Sequence, residues 1–61
     1  MAFKFRMNSK VKIKVSGETG TVIARAEYTN GENNYRIRYV LNNGVGTERW
    51  WTESALVQAP K

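Results

Sequence analysis

Several residue types that carry chemistry in proteins are missing from this sequence. Its 61 residues include no cysteine and no histidine, and all five acids are glutamate. The lack of cysteine excludes disulfides, iron–sulfur clusters and thiolate metal sites. The lack of histidine removes imidazole acid–base catalysis, and the lack of aspartate weakens any carboxylate site for Ca²⁺ or Mg²⁺. We therefore expect a protein that is not an enzyme and that binds no cofactor and no metal.

Long apolar runs are also missing. No stretch approaches the roughly 20 residues that span a bilayer, and the basic start at residues 1–7 lacks the apolar region and cleavage site of a signal peptide. The sequence therefore predicts a cytoplasmic protein with no membrane partner. Residues 1–61 have room for one domain, which we expect to have its core at about 7–58, with residues 1–6 as an arm or short strand.

Positive charge is in excess. Ten Lys and Arg against five Glu give a formal net charge of +5, which favours nucleic acid, either DNA or RNA, or an acidic protein as the partner. A net charge of about 2–8 is also ordinary for a small domain that only needs to stay in solution. Charge alone leaves both interpretations open.

Strict alternation of apolar and polar residues dominates the chain and predicts strands. Residues 10–15 place three β-branched side chains on one face and three lysines on the other. Residues 21–28 form a second strand after a turn in which Gly17 and Gly20 supply positive φ. An exposed loop at 29–34 leads to a third strand at 35–41, whose inward face is Tyr35, Ile37, Tyr39 and Leu41.

Asn43-Gly44 predicts a hairpin into a fourth strand at residues 45–51. A two-residue loop would pair Ile37 with Trp50, whereas a three-residue loop with a bulge would set Arg38 against Glu48 and Arg36 against Trp50. Slipping by one residue exchanges the faces of Trp50 and Trp51, so the register stays open. Residues 52–56 fit one 3₁₀ turn with Thr52 as its cap, and residues 57–59 fit a short closing strand.

The predicted fold class is all-β, a single five-stranded SH3-like small barrel with a 3₁₀ turn before the last strand. The order resembles SH3-like barrels of the Tudor and KOW type through three segments: residues 7–13, where a polar turn enters the first strand; residues 17–23, a glycine turn into the second; and residues 51–56, a strand end that runs into the 3₁₀ turn. The resemblance implies a binding module.

The length and layout are also similar to plasmid-encoded type II dihydrofolate reductases. That resemblance implies a homotetramer with a pore for folate and NADPH. The family's Val-Gln-Ile-Tyr motif falls on Glu48, Arg49, Trp50 and Trp51, and none is identical, so no catalytic residue is carried over. The sequence further resembles small phage and prophage proteins.

The candidate nucleic-acid-binding residues are cations on strand faces and the two adjacent tryptophans: Lys10, Lys12, Lys14, Arg36, Arg38, Arg49, Trp50 and Trp51. The cations would attract phosphates, although alternate lysines are equally the solvated face of a half-buried strand. Adjacent strand residues point to opposite faces, so one tryptophan enters the core and the other stays outside. An exposed tryptophan could stack on a base or anchor a protein interface.

Other aromatic and acidic residues invite site interpretations that are weaker. Tyr28, Tyr35 and Tyr39 are candidates for an aromatic cage around a cationic ligand, but Tyr35 and Tyr39 share the apolar face, which favours core packing. Glu48 and Glu53 could pair as acid and base, but salt bridges to Arg38 or Arg49 are favoured.

The predicted function is a small non-enzymatic module that contacts nucleic acid through a basic strand surface and an exposed tryptophan. The first alternative is a protein-interaction or assembly barrel of a mobile element, which uses that tryptophan and the small residues of the second strand. The second alternative is an oligomeric reductase-like enzyme. Monomer and small homo-oligomer both remain open.

Overall fold

The computed structural model describes residues 3–59 and holds five β-strands in one antiparallel sheet. The elements are β1 (Lys10–Ile13), β2 (Thr19–Ala26), β3 (Asn34–Val40), β4 (Gly46–Thr52), a 3₁₀ turn (Glu53–Ala55) and β5 (Leu56–Gln58). The all-β class and the 3₁₀ turn before the last strand are confirmed. The sheet order is β4-β3-β2-β1-β5. Because β4 and β5 are therefore edge strands and are not joined, closure into an SH3-like barrel stays a prediction.

One face of this sheet carries the core, as the alternation predicts. The buried apolar residues are Phe5, Val11, Ile13, Val22, Tyr35, Ile37, Tyr39 and Leu56. The core therefore begins at Phe5, ahead of the expected start at residue 7. The segment from residue 3 to residue 8 forms no strand, so it is an arm that packs on the sheet. Residues 1 and 2 of the predicted arm lie outside the described residues.

The turn between β1 and β2 differs from the prediction. β1 ends at Ile13, whose carbonyl accepts a hydrogen bond from the Gly17 N–H at 2.7 Å. The chain leaves the sheet there, and Val15, expected on the buried face, is 82% exposed. Gly17 has a positive φ of 77° as predicted, but Gly20 lies inside β2 and does not.

Gly20 is needed for space rather than for its φ angle. A Cβ built on it would lie 2.5 Å from the carbonyl oxygen of Arg38 and 2.6 Å from Cγ2 of Ile37. The neighbouring strand β3 therefore approaches the β2 backbone too closely for any side chain at this position.

The β3–β4 hairpin adopts the second of the two predicted registers. Arg38 lies opposite Glu48 and Arg36 lies opposite Trp50. The Leu41 N–H donates to the Val45 carbonyl at 2.8 Å, and Gly44 has a φ of 85°. The loop is therefore the three-residue type with a glycine in the left-handed region.

Smaller differences concern element ends. β2 begins and ends two residues earlier than predicted, and Leu41 lies just beyond β3 while still packing against the core. The loop at 29–34 is not exposed throughout, because Asn33 is buried and Asn34 opens β3. Thr52 occupies the position before the 3₁₀ turn, but its side chain makes no capping hydrogen bond.

Over residues 3–59, no helix combines the length and the apolar character that crossing a membrane requires.

Candidate functional site

The outer side of the sheet gathers cations from two strands. Lys10 and Lys12 alternate with the buried residues of β1, and Arg36 and Arg38 alternate with those of β3, so all four side chains leave the sheet on the face opposite the core. We call this surface the cationic face; it also holds Thr21, Glu48 and Trp50. Lys14, predicted as part of the same stripe, lies in the turn after β1.

β2 lies between the two cationic strands and links them through Thr21. This residue is opposite Lys10 on one side and opposite Arg38 on the other, and the Lys10 ammonium donates to its hydroxyl at 2.7 Å. Two strand spacings separate β1 from β3, roughly 10 Å. The cations therefore form two nearby rows rather than one cluster, a spacing that suits a chain of phosphates better than one small anion.

Glu48 on β4 pairs with both arginines of the face. Its carboxylate lies 2.7 Å from Nη2 of Arg38 and 3.3 Å from Nε of Arg36. The hydrogen bond from Arg38 is the main cause that lowers the pKa of Glu48 below its ordinary value. The predicted cross-strand salt bridge between Glu48 and Arg38 is confirmed. The Glu48 carboxylate holds both guanidinium groups in place and lowers the net positive charge of the cationic face by one.

Trp50 is the exposed tryptophan. It lies on the cationic face and is 46% exposed, and the guanidinium carbon of Arg36 is 5.9 Å from its ring centre. The ring is close to Arg36 because the two residues form a directly opposed pair. Trp51 points to the other side, where it packs against the core at 6.5 Å from the Tyr39 ring. The prediction of one tryptophan inside and one outside is confirmed.

The predicted site residues are therefore divided between the two faces. Arg49 lies opposite the buried Ile37, so it shares the inner side with Trp51, although its position on an edge strand leaves it exposed. Lys10, Lys12, Arg36, Arg38 and Trp50 lie together on the outer side. Thr21, which joins the two cationic rows, was missed because nothing in its local sequence marks it.

The tyrosines do not form a cage. Tyr35 and Tyr39 are core residues, as predicted, and Tyr28 is 53% exposed beyond the end of β2. The Tyr35 hydroxyl donates to Glu53 and accepts the backbone N–H of Lys4 at 3.0 Å. Glu53 therefore fastens the arm both through Tyr35 and directly, since its carboxylate also accepts the Lys4 N–H at 3.2 Å.

A cavity of about 500 Å³ lies beside this contact, at the end of the β2–β3 connection. Its lining includes Glu27, Glu32 and Glu53, three of the five acids of the chain, together with Tyr28. Glu32 accepts hydrogen bonds from the N–H and the hydroxyl of Ser54. Among the described residues no group of acids is placed to hold a metal ion. These three acids thus collect at one end of the sheet, apart from the cationic face.

No family model matches the chain, and no curated protein matches it either.

Proposed function

We propose that the protein binds nucleic acid through the cationic face and prefers single strands. The observation that carries this proposal is the half-exposed ring of Trp50 beside the guanidinium of Arg36, on a surface that also presents Lys10, Lys12 and Arg38. An aromatic ring next to arginine offers a stacking platform for bases, and flanking cations follow the phosphates. A base can stack only when it is unpaired, which gives the preference for single strands.

The charge of the face sets the strength of the interaction. The strand residues on the outer side comprise four cations and one carboxylate, that of Glu48. Contacts to about three or four phosphates of a single strand give a slope of log K against log salt of roughly −2 to −3. Non-specific binding of this kind has dissociation constants of about 10⁻⁴ to 10⁻⁶ M. The proposed complex is therefore weak and sensitive to salt.

A titration with labelled oligonucleotides tests this proposal. Single-stranded DNA, single-stranded RNA and a duplex of matched length are titrated with protein by fluorescence anisotropy at several salt concentrations. We expect binding at low salt, loss of affinity as salt rises, and tighter binding of either single strand than of the duplex. Absence of binding at low salt, or an affinity that does not change with salt, would overturn the proposal.

A further inference from the structure

Within residues 3–59, β4 pairs with a neighbouring strand on one side only, the side of β3. Just beyond the two ends of its ladder with β3, the Leu41 N–H donates to Val45 and the Glu53 N–H donates to Asn33. In an antiparallel pair, hydrogen-bonded positions alternate with positions that are not bonded. The odd-numbered residues of β4 therefore bond to β3, and the residues whose N–H and C=O point away from the sheet are Gly46, Glu48, Trp50 and Thr52.

This edge has only part of the usual protection. Proteins block sheet edges with short strands, proline, bulges and charged side chains, above all lysine. β4 carries two charged residues, Glu48 and Arg49, but it has seven residues, contains neither proline nor lysine, and pairs with β3 without a register shift. The opposite edge, β5, has only three residues. β4 is therefore the edge on which another strand can be added.

We infer that the occupant of this edge is β4 of a second copy, paired antiparallel about a two-fold axis at Trp50. A two-fold axis normal to the sheet keeps the core faces of the two copies on the same side. Since paired residues point to the same face, the axis must pass beside one residue that pairs with the same residue of the second copy. Registers that keep at least five residues of each β4 paired are centred on Glu48, Arg49 or Trp50. The first opposes two carboxylates and the second opposes two guanidinium groups, which disfavours both.

The register centred on Trp50 has no such conflict. It sets the two Trp50 rings beside each other on the cationic face. On the inner face it places Arg49 opposite Trp51 of the second copy, where a cation–π contact replaces the repulsion. Glu48 of each copy lies opposite Thr52 of the other copy. Backbone bonds form at Trp50 and at both of these pairs, so every unpaired group from Glu48 to Thr52 is used.

The pairing is weak and responds to salt in a characteristic direction. Two short strands bury less than the roughly 1,200 Å² of a stable interface, and each copy carries a net charge of +5. Salt screens that repulsion, so self-association strengthens as salt rises. Binding to nucleic acid has the opposite dependence, so the two properties can be separated. The inferred dimer does not depend on the proposed function.

Thr52 provides a matched pair of test variants. Its φ of −72° and ψ of 156° suit proline, and its N–H points to the free edge, so Thr52→Pro costs the monomer no bond to β3. Thr52→Ala keeps that N–H. By sedimentation equilibrium up to about millimolar protein, we expect wild type and Thr52→Ala to associate alike and Thr52→Pro to lose at least about tenfold in association constant. Circular dichroism checks that both variants are folded.

The result that overturns the inference is a wild type that stays monomeric over the whole concentration range. Association of Thr52→Pro as strong as that of Thr52→Ala overturns it as well.

Crosslinking tests the register. The chain has no native cysteine, so a single introduced thiol reports one contact. The paired positions at Trp50 have Cα atoms about 5.5 Å apart, within disulfide range, whereas two copies of position 48 are about 14 Å apart. Under mild oxidation we expect Trp50→Cys to form a covalent dimer much faster than Glu48→Cys. Equal or faster crosslinking of Glu48→Cys overturns the register.

Discussion

Arg36 and Trp50 face each other across β3 and β4, with the arginine guanidinium carbon 5.9 Å from the centre of the indole ring. The same guanidinium lies 3.3 Å from Glu48. Arg36 is thus held between a carboxylate and an aromatic ring, which limits the rotamers it can adopt and keeps its planar group beside the exposed ring. This arrangement leads to two predictions about binding, and the packing of the core leads to two about stability.

Replacing Trp50 with alanine removes the proposed stacking platform. A stacked base contributes about 1–3 kcal/mol, so Trp50→Ala should weaken single-strand binding by roughly 5- to 150-fold in an anisotropy titration. The ring is nearly half exposed, so the thermal midpoint should change little. Tyr28→Ala is the control, since it removes an exposed aromatic ring that lies off the cationic face. An equal loss of affinity in both variants would contradict a specific role for Trp50.

Glu48→Gln should strengthen binding to nucleic acid at low salt. The carboxylate occupies the guanidinium groups of Arg36 and Arg38, and its removal frees them for phosphates and raises the charge of the face by one. The slope of log K against log salt should become steeper by up to about 0.7. Salt titrations of the variant and the wild type measure both effects. Weaker binding by the variant would mean that positioning of the arginines matters more than the charge that Glu48 neutralises.

Gly20 and Gly46 differ in the space that is available for a side chain, so alanine substitutions at the two positions should have different effects on stability. Gly20→Ala places a methyl group against the Arg38 carbonyl and the Ile37 side chain, and overpacking of this kind costs about 1–3 kcal/mol. Gly46→Ala meets no atom within 4 Å, so it should be neutral or slightly stabilising. Urea unfolding compares the two variants. Similar stabilities would show that β3 can move away from β2 at little cost.

The contact between Tyr35 and Glu53 should make stability depend on acid pH. The hydrogen bond from Tyr35 is the main cause that lowers the pKa of Glu53 in the folded chain. The unfolded state therefore binds more protons, and this stabilisation is present above the ordinary pKa of 4.5 and lost as pH falls through the lowered value. Tyr35→Phe should destabilise the fold by about 1–2 kcal/mol at neutral pH, with a smaller difference in acid.

Urea unfolding at neutral and acid pH measures that difference, and an NMR titration of the Glu53 carboxyl should show its pKa moving upward in Tyr35→Phe. Tyr39→Phe serves as the comparison, because Tyr39 is also a core tyrosine but its ring packs on Trp51, away from the contact between Tyr35 and Glu53. A pH-independent loss of stability in Tyr35→Phe would show that the hydroxyl acts on the arm alone.

The sequence by itself determined the strands and the direction of their side chains. A period of two places Val11 and Ile13 on one face and Lys10 and Lys12 on the other, whatever the neighbouring strand is. The same alternation predicted that Tyr35 and Tyr39 belong to the core and that the two tryptophans separate. These features are local, because a strand's own backbone geometry sets which side each residue takes.

Only the tertiary structure decided what depends on contacts between distant residues. The choice of Trp50 over Trp51 as the exposed ring followed from the hairpin register, which two loop types left open. The link through Thr21 required β2 to lie between β1 and β3. Val15 continues the apolar–polar alternation of the sequence, yet its side chain is exposed. The reason is that β1 ends at Ile13 and the chain turns away before Val15 can be covered by another strand. Periodicity fixes the side of a residue relative to its own strand, whereas burial, register and the free edge of β4 depend on which strands pair.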